Sequence, residues 1–477
     1  MREKKRLSSD TKGLLRAVEA LVEITALSVV YYLVWRLMYS NGRFPDFLYK
    51  GKYVLVGVYA VLVALLVNNM DGFQVGNLRR FDLALAQWIG TLITNIITYF
   101  QLCLIANGII SVVPMIVLMV ADVVICTLFV FLYSWIYHRA YAPYKMIMVY
   151  GSDKAVGMKI KMDKRREKYR VDKLISVEEG TNRICRELVN YDGIVLNDVP
   201  AQMRNDILKF CYQHELRTYV IPKITDLIIK GADQVTAFDT PMVVVQGCGL
   251  TAGQRFLKRA MDIVISIVGV IIASPIMAAV AVAIKCEDGG PVFFKQKRVT
   301  QGGREFEVIK FRSMIVNAEK NTGAVLAEEN DSRITKVGHF IRATRLDEIP
   351  QILNIIKGDM SIVGPRPERK VFIEEFCQEM PEFAYRTKVK AGLTGYAQIY
   401  GKYNTTPYDK LRLDMIYISN YSLFLDIKLI LTTIRILFSK ESTEGADVAK
   451  ENNKKTEMLL RKIQDEREEN LTAVGGK

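Results

Sequence analysis

A chain of 477 residues is too long for one ordinary domain and predicts two or three folded units. Half of the residues are hydrophobic and 24% are charged, which is too apolar for most soluble enzymes and too polar for a polytopic transporter. The formal net charge of +14 fits basic residues that face anionic lipid, and without a nucleic-acid motif we expect no nucleic-acid partner.

The seven cysteines form an odd, scattered set, and the three histidines show no paired ligand spacing. This pattern argues against a disulfide framework and a zinc site, and it fits a reducing cytoplasm.

Four apolar runs follow a basic N-terminus, and each approaches the length of about 20 residues that a spanning helix needs. They are Leu21–Met38, Tyr53–Val67, Leu83–Ala106 and Ile109–Tyr137. Basic residues lie before the first run, between the second and third, and after the fourth, although the loop after the first run also carries some. We expect four transmembrane helices in residues 1–140, with the N-terminus and everything after Tyr137 in the cytoplasm.

Residues 141–250 alternate strand-like apolar runs with helical patterns, which predicts a Rossmann-like α/β domain with a parallel sheet. The pattern has strands at Met146–Tyr150, Gly193–Leu196 and Thr218–Ile221, and a helix at Asp206–His214. Gly151 and Gly157 make a degenerate nucleotide-binding turn, but two glycines that simply close a strand-to-helix turn would look the same.

Residues 342–351 place two adjacent carboxylates, Asp347 and Glu348, after two arginines, Arg342 and Arg345. One carboxylate can attack phosphorus as a nucleophile, and the other can hold Mg²⁺ together with phosphate oxygens. An ion-paired, solvated helix face explains the same residues, and the motif alone leaves both readings open.

Three further segments suggest phosphate or lipid contacts. Arg366 lies between two prolines, so a stiff backbone aims its guanidinium, although a rigid exposed loop remains the alternative. Residues 390–398, which end at Gln398, contain two glycines that would allow the backbone to approach a ligand closely. An ordinary turn is the alternative explanation of these glycines. Residues 295–312 are basic and include Lys310 and Arg312, as expected near lipid phosphates or on a solvated face.

Together these residues resemble the monotopic phosphoglycosyl transferase superfamily, the bacterial sugar transferases that start capsule, exopolysaccharide and O-antigen repeat units. The resemblance runs from about Lys258 to Lys440. Its motifs occur in the family's order and are Arg259-Ala-Met-Asp262, Ser274-Pro275, Gln296-Lys-Arg298, Lys310-Phe-Arg312-Ser-Met314, Asp347-Glu348-Ile-Pro350-Gln351, Gly364-Pro-Arg-Pro-Glu368, Lys390-x-Gly-x-Thr-Gly-x-Ala-Gln398 and Asp414-x-x-Tyr417.

The resemblance implies that Asp347 attacks the β-phosphate of a UDP-sugar, that UMP leaves, and that undecaprenyl phosphate then attacks the phosphosugar–aspartyl intermediate. Glu348 is implied as the Mg²⁺ ligand. The implied phosphate and substrate contacts are Arg342, Arg345, Arg366, Glu368, Lys310, Arg312 and Gln398. The implied setting is the inner membrane of a bacterium, in the first membrane step of exopolysaccharide, capsule or O-antigen synthesis.

The resemblance also implies a mixed, mainly helical catalytic domain over residues 251–442, before a charged tail over residues 443–477. A fifth apolar run, residues 260–284, is long enough to span, but a fifth crossing would move Asp347 away from cytoplasmic UDP-sugar. Pro275 kinks a helix, and Ser274 can bond a freed carbonyl. We therefore expect a re-entrant helix with Arg259 and Asp262 at one end. A homodimer is also expected.

Two other functions compete with this reading. A non-catalytic membrane scaffold or sensor with a nucleotide-binding α/β domain would not need the Asp347–Glu348 pair. An NAD-dependent sugar-modifying enzyme would use the Tyr-x-x-x-Lys spacings at residues 150–154 and 169–173, but the sequence lacks a complete GxGxxG. The sugar itself is not specified by the sequence.

Overall fold

The structure is a computed structural model that describes residues 9–39, 50–152, 156–166, 168–247, 249–316, 331, 333–401, 405–437, 458 and 461. Apart from residues 458 and 461, the predicted tail lies outside this range, as do the first eight residues. The chain forms two compact units, Met1–Val220 and Ile221–Lys477.

The first unit begins with four long helices, which are α1 (Ser9–Val34), α2 (Gly51–Asn69), α3 (Arg80–Ile105) and α4 (Val113–Ala140). Each is long and apolar enough to cross a membrane. The length and composition of these helices therefore confirm the expectation of a membrane protein. Helix α1 begins twelve residues before the predicted apolar run, because hydropathy marks only the apolar part of a hydrogen-bonded helix.

A four-stranded parallel sheet follows, in the order β2-β1-β3-β4. Its elements are β1 (Tyr144–Tyr150), α5 (Val156–Asp163), β2 (Tyr169–Ser176), α6 (Thr181–Leu188), β3 (Gly193–Asn197), α7 (Ala201–Gln213) and β4 (Arg217–Val220). The predicted mixed α/β region is thus present. Its strand order reverses between β1 and β3, as in doubly wound sheets.

Gly151 follows β1 at this reversal, and its backbone N–H donates to Asn197 O at 3.1 Å. A Cβ at position 151 would lie 1.9 Å from Asp198 O, so close backbone approach requires this glycine without any bound nucleotide. Residues 153–155 of the predicted turn lie outside the described residues.

Tyr169 and Lys173 both lie on β2, where four residues span about 13 Å. A Tyr-x-x-x-Lys pair brings its two side chains together on a helix, not on a strand. Lys173 instead pairs with Glu187 at 2.6 Å. This spacing therefore gives no support to an NAD-dependent enzyme. The other such spacing ends at Lys154, outside the described residues.

The second unit begins with α8 (Ile224–Lys230), the antiparallel hairpin β5 (Asp233–Ala237) and β6 (Thr240–Val244), and the 37-residue helix α9 (Ala252–Asp288). Helix α8 packs Ile224 and Leu227 into the same core as Leu411 and Met415. This packing places residues 224–230 with the second unit.

The remaining elements surround that core. They are β7 (Phe293–Val299), β8 (Glu305–Phe311), α10 (Lys336–Ala343), α11 (Gln351–Lys357), β9 (Ser361–Val363), α12 (Lys370–Glu379), β10 (Gly392–Thr394), α13 (Tyr396–Tyr400), α14 (Pro407–Ser419) and α15 (Leu423–Leu437). Strands β7 and β8 pair antiparallel, and β9 and β10 pair parallel. The unit is mixed and mainly helical.

Helix α9 is continuous through Pro275. Proline cannot satisfy the carbonyl four residues earlier, which here belongs to Ile271. The Ser274 hydroxyl donates to that carbonyl at 2.9 Å, as the sequence suggested. This local bond lets a proline remain within an apolar helix.

Candidate active site

The Asp347–Glu348 pair lies in a short linker between two helices. Helix α10 ends at Ala343, a 3₁₀ turn covers Leu346–Glu348, and α11 begins at Gln351. Arg345 precedes the turn in the left-handed region with φ +59°, a backbone conformation that costs a non-glycine residue of order 1 kcal/mol. This strained turn directs the two adjacent acids differently.

Glu348 is held by two cations from separate elements. Lys310 Nζ, on β8, donates to Glu348 Oε1 at 2.9 Å, and Arg366 Nη2, after β9, donates to the same oxygen at 3.0 Å. Burial alone would raise the pKa of Glu348, but the Arg366 and Lys310 charges outweigh it and hold that pKa well below its ordinary value. Glu348 is therefore ionised at neutral pH.

Asp347 has a different environment. Its carboxylate accepts no hydrogen bond from the described residues. Burial and the neighbouring Glu348 charge raise its pKa, against the opposing charges of Lys310, Arg342 and Arg345. An ionised carboxylate whose oxygens are free of donors is a better nucleophile than one that is already bound.

Four cations face the two carboxylates, and they are Lys310, Arg342, Arg345 and Arg366. Asp331 also faces Arg342, and Glu368 also faces Arg366. This concentration of cations favours a polyanionic ligand such as a diphosphate. Burial lowers the pKa of Lys310, while the Glu348 charge opposes that effect. The ion pair thus offsets part of the cost of burying the Lys310 charge.

The Arg366 loop rests on a buried network that the predicted site residues only partly include. Arg386 Nη2 donates to Arg366 O at 3.1 Å and pairs with Asp414 at 2.9 Å. Glu368 lies 3.8 Å from Arg386 and 3.7 Å from Arg298. Asp414 belongs to one of the predicted motifs, whereas Arg386 belongs to none of them. Glu368 thus stabilises the loop through its ion pairs with Arg298 and Arg386.

Two further predicted residues, Arg312 and Gln398, make no contact with the acid pair in the described part of the chain. Arg312 pairs with Asp288 and donates to Pro291 O at 2.8 Å, so it ties β8 to the end of α9. Gln398 Nε2 donates to Leu393 O at 3.2 Å, whereas its buried Oε1 accepts no hydrogen bond from the residues that the structure describes.

Two residues predicted for the membrane helix fix its first turns. Arg259 donates to Ile355 O at 2.6 Å and to Ile356 O at 2.7 Å, which places a cation at the C-terminal end of α11. Asp262 accepts from the Ser361 hydroxyl and from the Ile362 N–H, both at 3.0 Å. These contacts orient α9, α11 and β9.

The carboxylate oxygens of Asp347 and Glu348 suit Mg²⁺ only if a bound ligand completes the coordination of the ion. Among the described residues, no three acidic, histidine or cysteine side chains converge as a metal site. Glu348 Oε2 and the Asp347 carboxylate accept no hydrogen bonds there. Mg²⁺ commonly takes one or two carboxylates and fills its octahedron with phosphate and water, so the residues present fit that ion.

Residues 253–440 match the profile of the bacterial sugar transferase family. The chain is 44% identical over 187 residues to the UDP-N-acetylgalactosamine-undecaprenyl-phosphate N-acetylgalactosaminephosphotransferase of Aeromonas hydrophila, which covers 39% of this chain and 44% of that protein. It is 39% identical over 211 residues to the UDP-glucose:undecaprenyl-phosphate glucose-1-phosphate transferase of Escherichia coli K12, covering 43% of this chain and 44% of that protein.

Similarity to these two proteins thus spans less than half of their length. A shorter Bacillus subtilis protein, "Putative undecaprenyl-phosphate N-acetylgalactosaminyl 1-phosphate transferase", is 48% identical over 136 residues, which are 28% of this chain and 75% of that protein. The matched region contains the Asp347–Glu348 turn and its cations. The chain therefore belongs to the bacterial sugar transferase family.

Proposed function

We propose that the protein transfers a sugar 1-phosphate from a UDP-sugar to undecaprenyl phosphate and releases UMP. The observation that carries the proposal is the contrast between Asp347, whose carboxylate accepts no hydrogen bond from the described residues, and Glu348, which accepts from Lys310 and Arg366. Similar proteins in this family are named for this transfer. The contrast supports Asp347 as the nucleophile and Glu348 as the carboxylate that holds the neighbouring cations in place.

In the first step an Asp347 oxygen attacks the β-phosphorus of the UDP-sugar. The bond from that phosphorus to the bridging oxygen breaks, and UMP leaves with the oxygen. In the second step a phosphate oxygen of undecaprenyl phosphate attacks the same phosphorus, which breaks the aspartyl–phosphate bond and restores the carboxylate. Arg342, Arg345 and Arg366 offset the phosphate charge in both steps.

Mg²⁺ would be held by Glu348 and by the diphosphate of the substrate. When bound, it would neutralise charge on the phosphate oxygens. Because cations already surround the acid pair, the metal is expected to bind together with the diphosphate rather than before it.

We further propose that α9 is re-entrant and that the catalytic unit lies on the cytoplasmic face of the inner membrane. Support comes from both ends of α9, which contact the same unit. Lys258 pairs with Asp426 at 2.6 Å near one end, and Asp288 pairs with Arg312 at the other. Apolar side chains between them, such as Ile271 and Ile272, are exposed. The expected homodimer stays a prediction.

The test is incubation of purified protein with undecaprenyl phosphate, Mg²⁺ and a panel of radiolabelled UDP-sugars. The panel includes UDP-glucose, UDP-galactose and their N-acetylated forms, because the relatives' names differ in the sugar. We expect UMP release and a labelled lipid with one of these donors. Absence of both products with every donor would favour a non-catalytic scaffold.

A further inference from the structure

The interior of the α1–α4 bundle is polar along one face of α3. The amide and hydroxyl side chains on this face are at most 4% exposed, and they are Gln87, Thr91, Thr94, Asn95 and Thr98. Their spacing of four, three, one and three residues keeps them on one side of a helix. The opposite side carries exposed apolar residues such as Ile96 and Phe100. Polar groups inside a membrane bundle are costly, so this face indicates a site.

Three carboxylates from neighbouring helices lie in the same interior. Glu19 and Glu23 on α1 are each 1% exposed, and Asp122 on α4 is fully buried. Gln87 Nε2 donates to Glu23 Oε2 at 3.1 Å. Asp122 Oδ2 accepts from Asn95 Nδ2 at 2.7 Å and from the Tyr59 hydroxyl at 3.1 Å. Each of these two bonded carboxylates therefore uses one oxygen.

Four buried carboxylate and amide oxygens in this interior have no hydrogen-bond partner among the described residues. They are Glu19 Oε1, Glu23 Oε1, Asp122 Oδ1 and Gln87 Oε1. The last belongs to a fully buried neutral amide that lies against Glu23, so it is evidence independent of the acids. All four atoms are acceptors when the acids are ionised. The group that these four oxygens lack is consequently a donor. The unpartnered Arg16 Nε and the Ser28 and Thr98 hydroxyls can donate, but each of these three groups offers a single N–H or O–H.

The charges facing the acids do not balance them. The titratable or charged neighbours of the acids are Arg16 on α1, Tyr59 on α2, and Cys126 and Tyr133 on α4, while the α3 groups are neutral. Tyr137 on α4 faces Arg16 instead. Among the described residues Arg16 is the one cation of this set, and its Nη2 donates to Val75 O at 3.0 Å. Three ionised carboxylates beside one cation would be severely destabilising in a desolvated bundle.

We propose that this interior is a proton-binding site in which Glu19, Glu23 and Asp122 are protonated at neutral pH. Each protonated carboxyl gains an O–H donor, which can satisfy acceptors such as Gln87 Oε1. A proton fits better than a metal ion, because no three acidic, histidine or cysteine side chains converge at metal-binding geometry in the described part of the chain. The inference does not depend on the proposed transferase activity.

The first test is thermal unfolding of the full chain in detergent from about pH 6 to about pH 9, where desolvated carboxyls ionise. Acids that are neutral only in the folded state stabilise it less as pH rises. We expect the wild-type Tm to fall by about 5 °C or more, and that of Glu19→Gln/Glu23→Gln/Asp122→Asn to change by less than about 2 °C. Equal pH dependence in both proteins would overturn the proposal.

A matched control removes three exposed acids of α12 by Glu374→Gln/Glu375→Gln/Glu379→Gln and should keep the wild-type pH dependence. A sodium titration at fixed pH forms the other arm. An increase in Tm with Na⁺ that is lost in the triple variant would show that the three buried acids bind a metal cation rather than protons. That result would overturn the proposal.

Infrared difference spectroscopy of the wild type keeps the proposal testable if the triple variant does not fold. At neutral pH we expect a carbonyl band of protonated carboxylic acid that loses intensity in each single variant, Glu19→Gln, Glu23→Gln and Asp122→Asn. Absence of a protonated band in the wild type would overturn the assignment.

Discussion

Arg386 connects the buried interior of the second unit to the candidate active site through the backbone of Arg366. Its Nη2 donates to Arg366 O at 3.1 Å and lies 2.9 Å from Asp414, while the Arg366 side chain reaches Glu348 at 3.0 Å. A buried ion pair therefore supports the loop that presents a cation to the acid turn. Outer contacts of this kind fix the orientation of the groups that meet the substrate.

Replacing Asp347 by Asn should lower sugar-phosphate transfer by about 10⁴-fold or more and abolish the covalent adduct, because an amide does not attack phosphorus. The measurement is the labelled phosphosugar–protein species after incubation with donor alone. Asp239→Asn, at an exposed turn, is the control and should behave as wild type. Adduct accumulation in the Asp347 variant would show that another residue is the nucleophile.

Replacing Glu348 by Gln should greatly reduce activity and its dependence on added Mg²⁺, because the carboxylate that would share the ion with the diphosphate is lost. In the wild type, EDTA should stop transfer and Mg²⁺ should restore it. Glu307→Gln removes an exposed acid on β8 and should leave both responses intact. Full wild-type activity in EDTA would refute the metal requirement.

Asp414 should make transfer sensitive to acid. Burial raises its pKa to about 6 despite the Arg386 charge, so acidification below that value neutralises the partner of Arg386. Because the folded-state pKa is raised, the contribution of this group to stability grows as pH falls from about 6 to 3.8, and activity should decline before unfolding.

The measurement is the pH profile of kcat beside the thermal unfolding midpoint. Asp414→Asn should lower kcat by about 10- to 100-fold and flatten this acidic limb. An unchanged acidic limb in the variant would assign it to another group.

Lys258 and Asp426 should stabilise the second unit as a pair. They are 2.6 Å apart and buried, so Lys258→Met should lower the free energy of unfolding by about 3–5 kcal/mol by stranding the carboxylate. The double variant Lys258→Met/Asp426→Leu should recover most of that loss. The exposed pair of Lys295 and Glu307 provides the control. Lys295→Met should lower the free energy of unfolding by less than about 1 kcal/mol. Equal losses at both positions would contradict the buried-pair interpretation.

Both ends of α9 should be accessible from the cytoplasm. We expect a cysteine introduced at Arg255 and the native Cys286, both exposed, to react with an impermeant thiol reagent from the cytoplasmic side of inverted vesicles. The other cysteines are replaced by serine. Labelling of Cys286 only from the opposite side would establish a true crossing. Pro275→Leu should shift part of the population toward that form.

Several features of the protein were determined locally by the sequence. The apolar runs predict α1–α4 and the core of α9, because period and length follow from hydrogen bonding and hydropathy over neighbouring residues. The strands at β1, β3 and β4 were likewise predicted. Strand β2 was missed, since its charged residues conceal the alternation, and its pairing with β1 decides its structure.

The order of motifs identified the acid turn and Arg366, but only the tertiary structure separated their roles. Lys310 and Glu348 meet across 38 residues, Arg386 and Asp414 across 28, and Lys258 and Asp426 across 168. The sequence also did not reveal that Arg312, a predicted substrate contact, pairs with Asp288. Spacing along a chain fixes which residues share a helix face or strand side, whereas distant charges pair only where packing closes the intervening loops.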